Sequence, residues 1–598
     1  MKKLIIILIT IISGHVFIGC SDDFLDKQPQ NILSLETVWA NEDLVISLLG
    51  DLYNRVPKGA FSQNDMQLTN EAIWSGGGNG LNGGGDFGTG LYQYWDYSLI
   101  REINLFIENA ANSTLDESVL TGLVAEARFI RASVYFEMVK RMGGVPIITQ
   151  TFSYEGSSEE DLQFPRNTEA EVYDFIASEI DAIKDDLADS GAEIRRASRW
   201  AALALKSRAM LFAGSIAKYN NTLPSPINLP GEEVGISAGR ADGYFQASLE
   251  ASNEIINSGN FSLHNDYYDL FSTSNKGLVS ETIFVDDFRN PVKRSWFTYW
   301  NTAPTNREDD NGGNLSPVLE VVEAYDYLDG TSGELKMEDG LGNPIYYDNP
   351  EDIFANKDLR LNSTIVLPNT QFRGAKVEIQ AGIIQWNGAS YDTLITANLG
   401  DRDADNNIIT GQDGPSDEAG VTNSGFYIKK FVTEAPGAGS RTVLADNWWI
   451  VYRYGEILLN AAEASFELGQ SGPALTHVNA VRERAGFGAN SLGSINIDAI
   501  RKERRVELAY EGHLYWDLKR WRTAHLEFNG VKRPTGAYPY LVLHEGETFH
   551  KKYVYVKKPL SRLGTNPARN FRADVNYYSE IPGSALANNP KLVKNPNH

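Results

Sequence analysis

Between Asp446 and Trp521 three apolar-striped segments follow one another with turn signals between them, and this run restricts the chain to a helical frame. In the first segment Ile457, Ala461, Ala464 and Leu468 recur at spacings of four, three and four, the period of one helix face. Alanines on that face let a second helix come close. Pro473 sits where a first-turn proline is tolerated, and Gly486 where a helix C-terminus calls for a positive φ. The third segment carries Arg501, Glu503, Arg504, Arg505 and Glu507, followed by Tyr510, Tyr515, Trp516 and Trp521. So many charges of both signs beside aromatics predict an internal ion-pair network. Buried Arg–Glu pairs hold structure more often than they catalyse, so the run reads as a support.

The first 260 residues follow the same pattern. Apolar stripes predict helices over Leu35–Tyr53, Trp95–Ala111, Glu117–Met142, Trp200–Lys218 and Tyr244–Ser258. Gly143–Gly144 stops the long one, and Thr168 with Glu171 forms a capping-box pattern opening a further helix, Ala170–Leu187. Helix pairs joined by short turns, with alanines at the crossings, are the arrangement of tetratricopeptide-like repeats, here without a strict period. From about Phe261 the texture changes. Apart from a helical piece at Pro317–Leu328, short β-prone runs (Glu281–Phe284, Ser363–Leu367, Phe426–Phe431) are separated by Asn, Asp and Gly clusters. The expected class is mainly α: a helical-pair scaffold carrying an irregular, loop-rich lobe with short strands. The divisions are residues 1–19 as a leader, 20–260 and 446–598 as helical regions, and 261–445 as the lobe, where binding loops belong.

The leader is legible from Lys2 and Lys3, the apolar run Leu4–Ile12, and Phe17–Ile18–Gly19 before Cys20, the sole cysteine. It is too short to span a bilayer well and resembles the lipobox of bacterial lipoproteins, in which Cys20 would be acylated and tethered to a membrane by acyl chains. A formal charge of −24 argues against nucleic acid as a partner, since phosphate binding rests on clustered Lys and Arg.

Glycine fills nine of the sixteen positions from Ser75 to Gly90, with no lysine between Lys58 and Lys140, so a nucleotide loop is excluded in favour of a tight aromatic-bearing loop. Trp74, Phe87 and Tyr92 offer ring faces for sugar C–H surfaces, and Asn79, Asn82 and Asp86 offer partners for hydroxyls. A second cluster, RSWFTYW, brings Trp296, Tyr299 and Trp300; read as a strand, it points Trp296 and Trp300 one way and Phe297 and Tyr299 the other. Trp386 is a lone further candidate. Asp401, Asp403 and Asp405 resemble half of a calcium loop, but Asn406 and Gln412 replace its glycine and glutamate. No other cofactor is indicated. No nucleophile elbow, zinc motif or catalytic cysteine is present, so no catalytic residues are assigned.

Taken together, AEARFIRASVYFEMVKRMGGVPII (Ala125–Ile148), RYGEILLNAAEA (Arg453–Ala464), IRKERRVELAYEGHLYWDLKRW (Ile500–Trp521) and YYSEIP (Tyr577–Pro582) resemble the SusD/RagB outer-membrane lipoproteins. Leu514 departs from the arginine usual after EGH in that family. The resemblance implies a tetratricopeptide-like scaffold and a non-catalytic, surface-exposed lipoprotein anchored to the outer membrane through Cys20. Such a protein captures a glycan and passes it to a SusC-like TonB-dependent transporter. It also implies that the ligand site lies around the glycine-rich region and mid-chain aromatics. A peptide-binding, RagB-like member is the alternative, and a surface glycoside hydrolase the remaining one.

Overall fold

The computed structural model describes residues 33–59, 61–75, 85–153, 155–156, 158–189, 194–273, 275–560 and 568–598. The lipobox with Cys20, and the loop residues Asn79 and Asn82, lie outside them. No helix among the described residues is long and apolar enough to cross a membrane.

The principal helices are α1 (Glu42–Arg55), α2 (Tyr97–Ala110), α3 (Glu117–Met142), α4 (Glu169–Ile183), α5 (Arg199–Tyr219), α6 (Ala241–Ser258), α7 (Tyr454–Glu467), α8 (Ser471–Arg484), α9 (Ile497–Glu507) and α10 (Leu514–Arg520). Most pack on their sequence neighbours: α2 on α3, α3 on α4, α4 on α5, α5 on α6, then α7 on α8. Local chemistry sets the ends. Gly143 closes α3 at φ 77°, and a Cβ on Gly144 would collide with the Asn167 carbonyl. Thr168 and Glu171 exchange the two hydrogen bonds of the capping box at the start of α4. Gly486 has φ 94°, as its place after α8 requires. The α5 crossing is close because its inner face is small: a Cβ on Gly214 would press into the Phe245 ring of α6.

The chain leaves this frame after α6 and re-enters at α7, which packs against α6 as if the lobe were absent. The strands at exit and return, β3 (Thr282–Asp286) and β7 (Trp449–Arg453), pair antiparallel and close the lobe at its neck. The β7 residues were expected as part of the helical run; they are extended because all but Val451 pair with residues of β3, across an irregular register. Within and around the lobe are β1 (Ala72–Trp74) with β4 (Leu315–Pro317), and a four-stranded sheet. That sheet is ordered β9 (Lys552–Pro559), β8 (Thr535–Leu543), β5 (Gly382–Trp386), β6 (Tyr391–Leu394). A third sheet joins β10 (Ala568–Asn570) to β2 (Gly85–Asp86) in parallel. The helical piece expected at Pro317–Leu328 is confined to Leu319–Val322, because Pro317 and its neighbours pair with β1.

The expected ion network is present, and it binds frame to lobe. Arg453 donates to Glu281 at 2.7 Å, Glu507 at 2.6 Å and Glu511 at 2.7 Å, all buried. Arg360, from the lobe, meets Asp358, Glu503 and Glu507 at 2.6–2.8 Å. Lys430 reaches Glu511 at 2.7 Å, and Arg484 also closes on Glu507. A second group joins Arg504 and Arg520 to Asp517, with Glu463 receiving Arg520 and the Trp521 indole N–H. Carboxylates and cations alternate, so no charge is left buried alone, which is the condition for such a network to be tolerated. Arg501 stands outside it, its guanidinium over the Tyr219 and Trp521 rings at 4.9 and 4.8 Å.

Candidate functional site

The RSWFTYW segment is a helical turn, Phe297–Asn301, and not the strand expected. A four-residue step puts two side chains on one face in a helix as it does in a strand, so Trp296 and Trp300 remain together. Their rings lie 6.0 Å apart, 22° from parallel. Trp296 is 39% exposed, and Trp300 is half-buried. Phe297 faces the core, and this asymmetry leaves the tryptophan pair outward. Tyr299 is buried beneath them, edge-on to Trp296 at 5.4 Å, with its hydroxyl donating to Asp310 at 2.9 Å.

Asp310 also receives a forked contact from Arg441 at 2.7 and 2.8 Å, and the Arg441 guanidinium covers the Tyr299 ring at 5.4 Å. Those hydrogen bonds, from Arg441 first and then Tyr299, hold the Asp310 carboxyl below its ordinary range. Sequence reasoning missed both residues. A charged pair on loops 131 residues apart leaves no local pattern.

Trp74 ends β1 opposite Leu315. Its neighbour Ser75 donates its N–H to the Asn314 carbonyl at 2.9 Å, and the Asn314 N–H donates to the Trp300 carbonyl at 2.9 Å. The start of the glycine-rich loop is thus two backbone hydrogen bonds from the tryptophan pair. Gly420 donates to Ser75 Oγ at 3.0 Å, and Gly420 and Gly312 carbonyls receive Arg307. The structure therefore ties the backbone next to Trp74 to that of Trp300, two regions more than 200 residues apart in the chain.

Other candidates fall elsewhere. Phe87 is 3% exposed and packs against Phe528 and Phe571 at 5.7 and 5.1 Å: its ring is core, because β2 pairs with β10 and turns it inward. Asp86 is exposed and accepts from Asn570 at 2.7 Å. Tyr92 points at Asp65 in an internal cavity, not at the tryptophans. Trp386 stacks on His544 at 4.9 Å in the four-stranded sheet. The three aspartates of the presumed calcium loop do not converge. Asp403 is consumed by the backbone N–H groups of Asp405 and Asn407, and Asp401 accepts from Thr396. Among the described residues no cluster of three or more His, Cys, Asp or Glu side chains could hold a metal ion.

Comparison with known proteins agrees with this architecture. Residues 280–598 match the profile of the SusD family, and residues 23–211 match one described as starch-binding, associating with the outer membrane. SusD-like protein P2 of Formosa agariphila is 23% identical over 606 residues, covering 97% of this chain and 96% of that protein. A SusD-like protein from Bacteroides fragilis superposes with a TM-score of 0.65 at 23% identity, covering 94% of this chain and 98% of its own. A SusD-like carbohydrate-binding protein from the same species gives 0.64 at 22%, covering 93% and 100%.

Proposed function

Because this chain belongs to the SusD family, we propose that it captures oligo- or polysaccharide at the cell surface and hands it to a SusC-like transporter, without catalysis. The observation that carries the reading is the stacked Trp296–Trp300 pair, with Trp296 exposed and Trp300 half-buried, tied through Asn314 to Ser75 beside Trp74 and flanked by Asp310 and Arg441. Flat aromatic faces take the C–H face of a sugar ring, and a carboxylate–guanidinium pair beside them presents acceptors and donors for vicinal hydroxyls. The family's outer-membrane association supports a surface location, with Cys20 as the anchor. We further propose a lid-like role for it on that transporter.

Calorimetry and affinity electrophoresis across plant, host and microbial glycans, with product analysis, test the reading. Saturable glycan binding without cleavage is expected. Product formation would sink it, and binding to peptides with none to any glycan would favour a peptide-capturing member of the scaffold.

A further inference from the structure

One end of the four-stranded sheet carries a cluster of rings that the tryptophan pair does not account for. Trp386 ends β5 and is paired in register with Tyr391, the first residue of β6, so both side chains leave the same face of the sheet. His544 follows β8, and its ring stacks on Trp386 at 4.9 Å and 15°. Phe549, in the turn between β8 and β9, stands edge-on to His544 at 5.8 Å and stacks on Tyr346 at 4.4 Å. The inner part of this face is core: Ala381, Tyr540, Val542 and Val554 are buried there, with Phe549 and Tyr346 packed against them. The outer part is open. Tyr391 is 46% exposed, and Trp386 and His544 are half-buried.

These outer rings are held in place and left chemically available. Asn387 Oδ1 accepts the N–H groups of Ala389 at 3.0 Å and Ser390 at 2.9 Å, which closes the β5–β6 hairpin tightly beside Tyr391. The Tyr391 hydroxyl is bonded to His544 Nδ1 at 2.6 Å, and the His544 backbone N–H donates to His550 Nδ1 at 3.0 Å. Tyr391 lies at 59° to Trp386 and 72° to His544, so neither ring is stacked flat on it. The Trp386 indole N–H and His544 Nε2 have no hydrogen-bond partner among the described residues. A hydroxyl satisfies Nε2 in either tautomer, because it both donates and accepts. Residues 386–394 and 544–550 carry three carboxylates, Asp392, Glu545 and Glu547, and no Lys or Arg. That charge turns away a phosphate-bearing membrane or nucleic acid and leaves a neutral, hydroxyl-rich ligand. Beside Tyr391 the exposed neighbours are Asn387, Ser390, Asp392 and Thr393, polar groups that suit hydroxyls and are poor as the apolar centre of a protein interface.

We propose that this cluster is a second carbohydrate platform, in which a sugar ring stacks on Tyr391 and its hydroxyls are met by the Trp386 indole N–H and His544 Nε2. The proposal rests on the glycan-capture reading above and adds a second grip to it. Among the described residues no hydrogen bond or ring contact joins the cluster to the Trp296–Trp300 pair, so the two grips are distinct. A short oligosaccharide fills one of them. A polysaccharide long enough to reach both engages the second intramolecularly, and linkage of this kind raises affinity by about 10²–10⁴ without strengthening either contact. The cluster therefore selects for chain length.

The test compares the mature wild-type protein with Trp386→Ala/Tyr391→Ala by affinity electrophoresis and calorimetry. The probes are the neutral polysaccharides of the panel, soluble starch included, and a short oligosaccharide of the same linkage, maltotriose for starch. The polymer is expected to lose at least about tenfold in affinity while the short oligosaccharide stays within about twofold of wild type. Adding the two substitutions to Trp296→Ala/Trp300→Ala should remove the polymer binding which that variant retains. Tyr391→Ala alone, at an exposed position, should show the same ordering and stands in if the double variant folds poorly. Wild-type polymer affinity in the folded variants would overturn the proposal, leave the rings to the sheet's own packing or to a protein partner, and keep the glycan reading intact. An equal loss on polymer and short oligosaccharide would also overturn it, since the cluster would then act through the tryptophan pair. Retardation by no polysaccharide would overturn this proposal together with the reading it rests on.

Discussion

Glu463→Gln isolates one charge from the buried frame. Glu463 is fully buried on α7 and receives Arg520 at 2.6 Å and the Trp521 indole N–H at 2.7 Å, with Arg504 at 3.5 Å. Burial alone would raise its carboxyl; Arg520, its hydrogen bonds and Arg504 overcome that and hold it at about 2, against an ordinary 4.5. A folded value below the unfolded one means stability that is present above pH 4.5 and lost as pH falls toward 2. Its size at pH 7 is about 3 kcal/mol, and at pH 3 about 1 kcal/mol. Glutamine leaves Arg504 and Arg520 to share Asp517, and breaking a buried pair in this way costs roughly 3–5 kcal/mol, consistent with the first figure. For a chain of this length, 3 kcal/mol corresponds to about 2–3 °C in melting temperature. Scanning fluorimetry at pH 7 and pH 3 should show the variant below wild type by that amount, with the gap shrinking at the lower pH. A variant within half a degree of wild type at pH 7, or a gap unchanged at pH 3, would refute the reasoning.

Two other perturbations probe the site. Gly313 has φ 62°, and a Cβ there would collide with the Gly420 carbonyl, displacing the Asn314 peptide that joins Ser75 to Trp300. Gly313→Ala is expected to cost about 1–3 kcal/mol in a denaturant titration and to weaken glycan binding in the same preparation. Wild-type affinity would mean that the link does not position Trp300. Arg441→Ala removes an exposed partner of Asp310, so the melting temperature should be unchanged while glycan affinity falls severalfold; loss of stability without loss of affinity would assign the pair to the fold.

The helical frame was readable because its signals are local. The stripes of α2, α3 and α7, the Thr168–Glu171 box and the Gly143 stop each act within a few residues, and each appears where expected. The charges of α9 announced a network, but not its members: Arg360 reaches Glu507 from 147 residues away, which no spacing encodes. The lobe was read as irregular, yet β7 was hidden inside a helical expectation, because its partner β3 lies in another part of the chain. At the candidate site, aromatic content singled out the segment, and its strand geometry was wrong. Trp296 and Trp300 share a face in a helix as well as in a strand, whereas Phe87 was lost to the core by a pairing with β10 that is invisible locally.

The central claim is that the Trp296–Trp300 pair is where glycan is held. Titrating a bound glycan from the panel into Trp296→Ala/Trp300→Ala by calorimetry tests it most directly. Two stacking contacts at about 0.5–1.5 kcal/mol each predict a loss of roughly five- to 150-fold, with cooperative unfolding retained because Trp296 is exposed and Trp300 only half-buried. Wild-type affinity in a folded double variant would contradict the account.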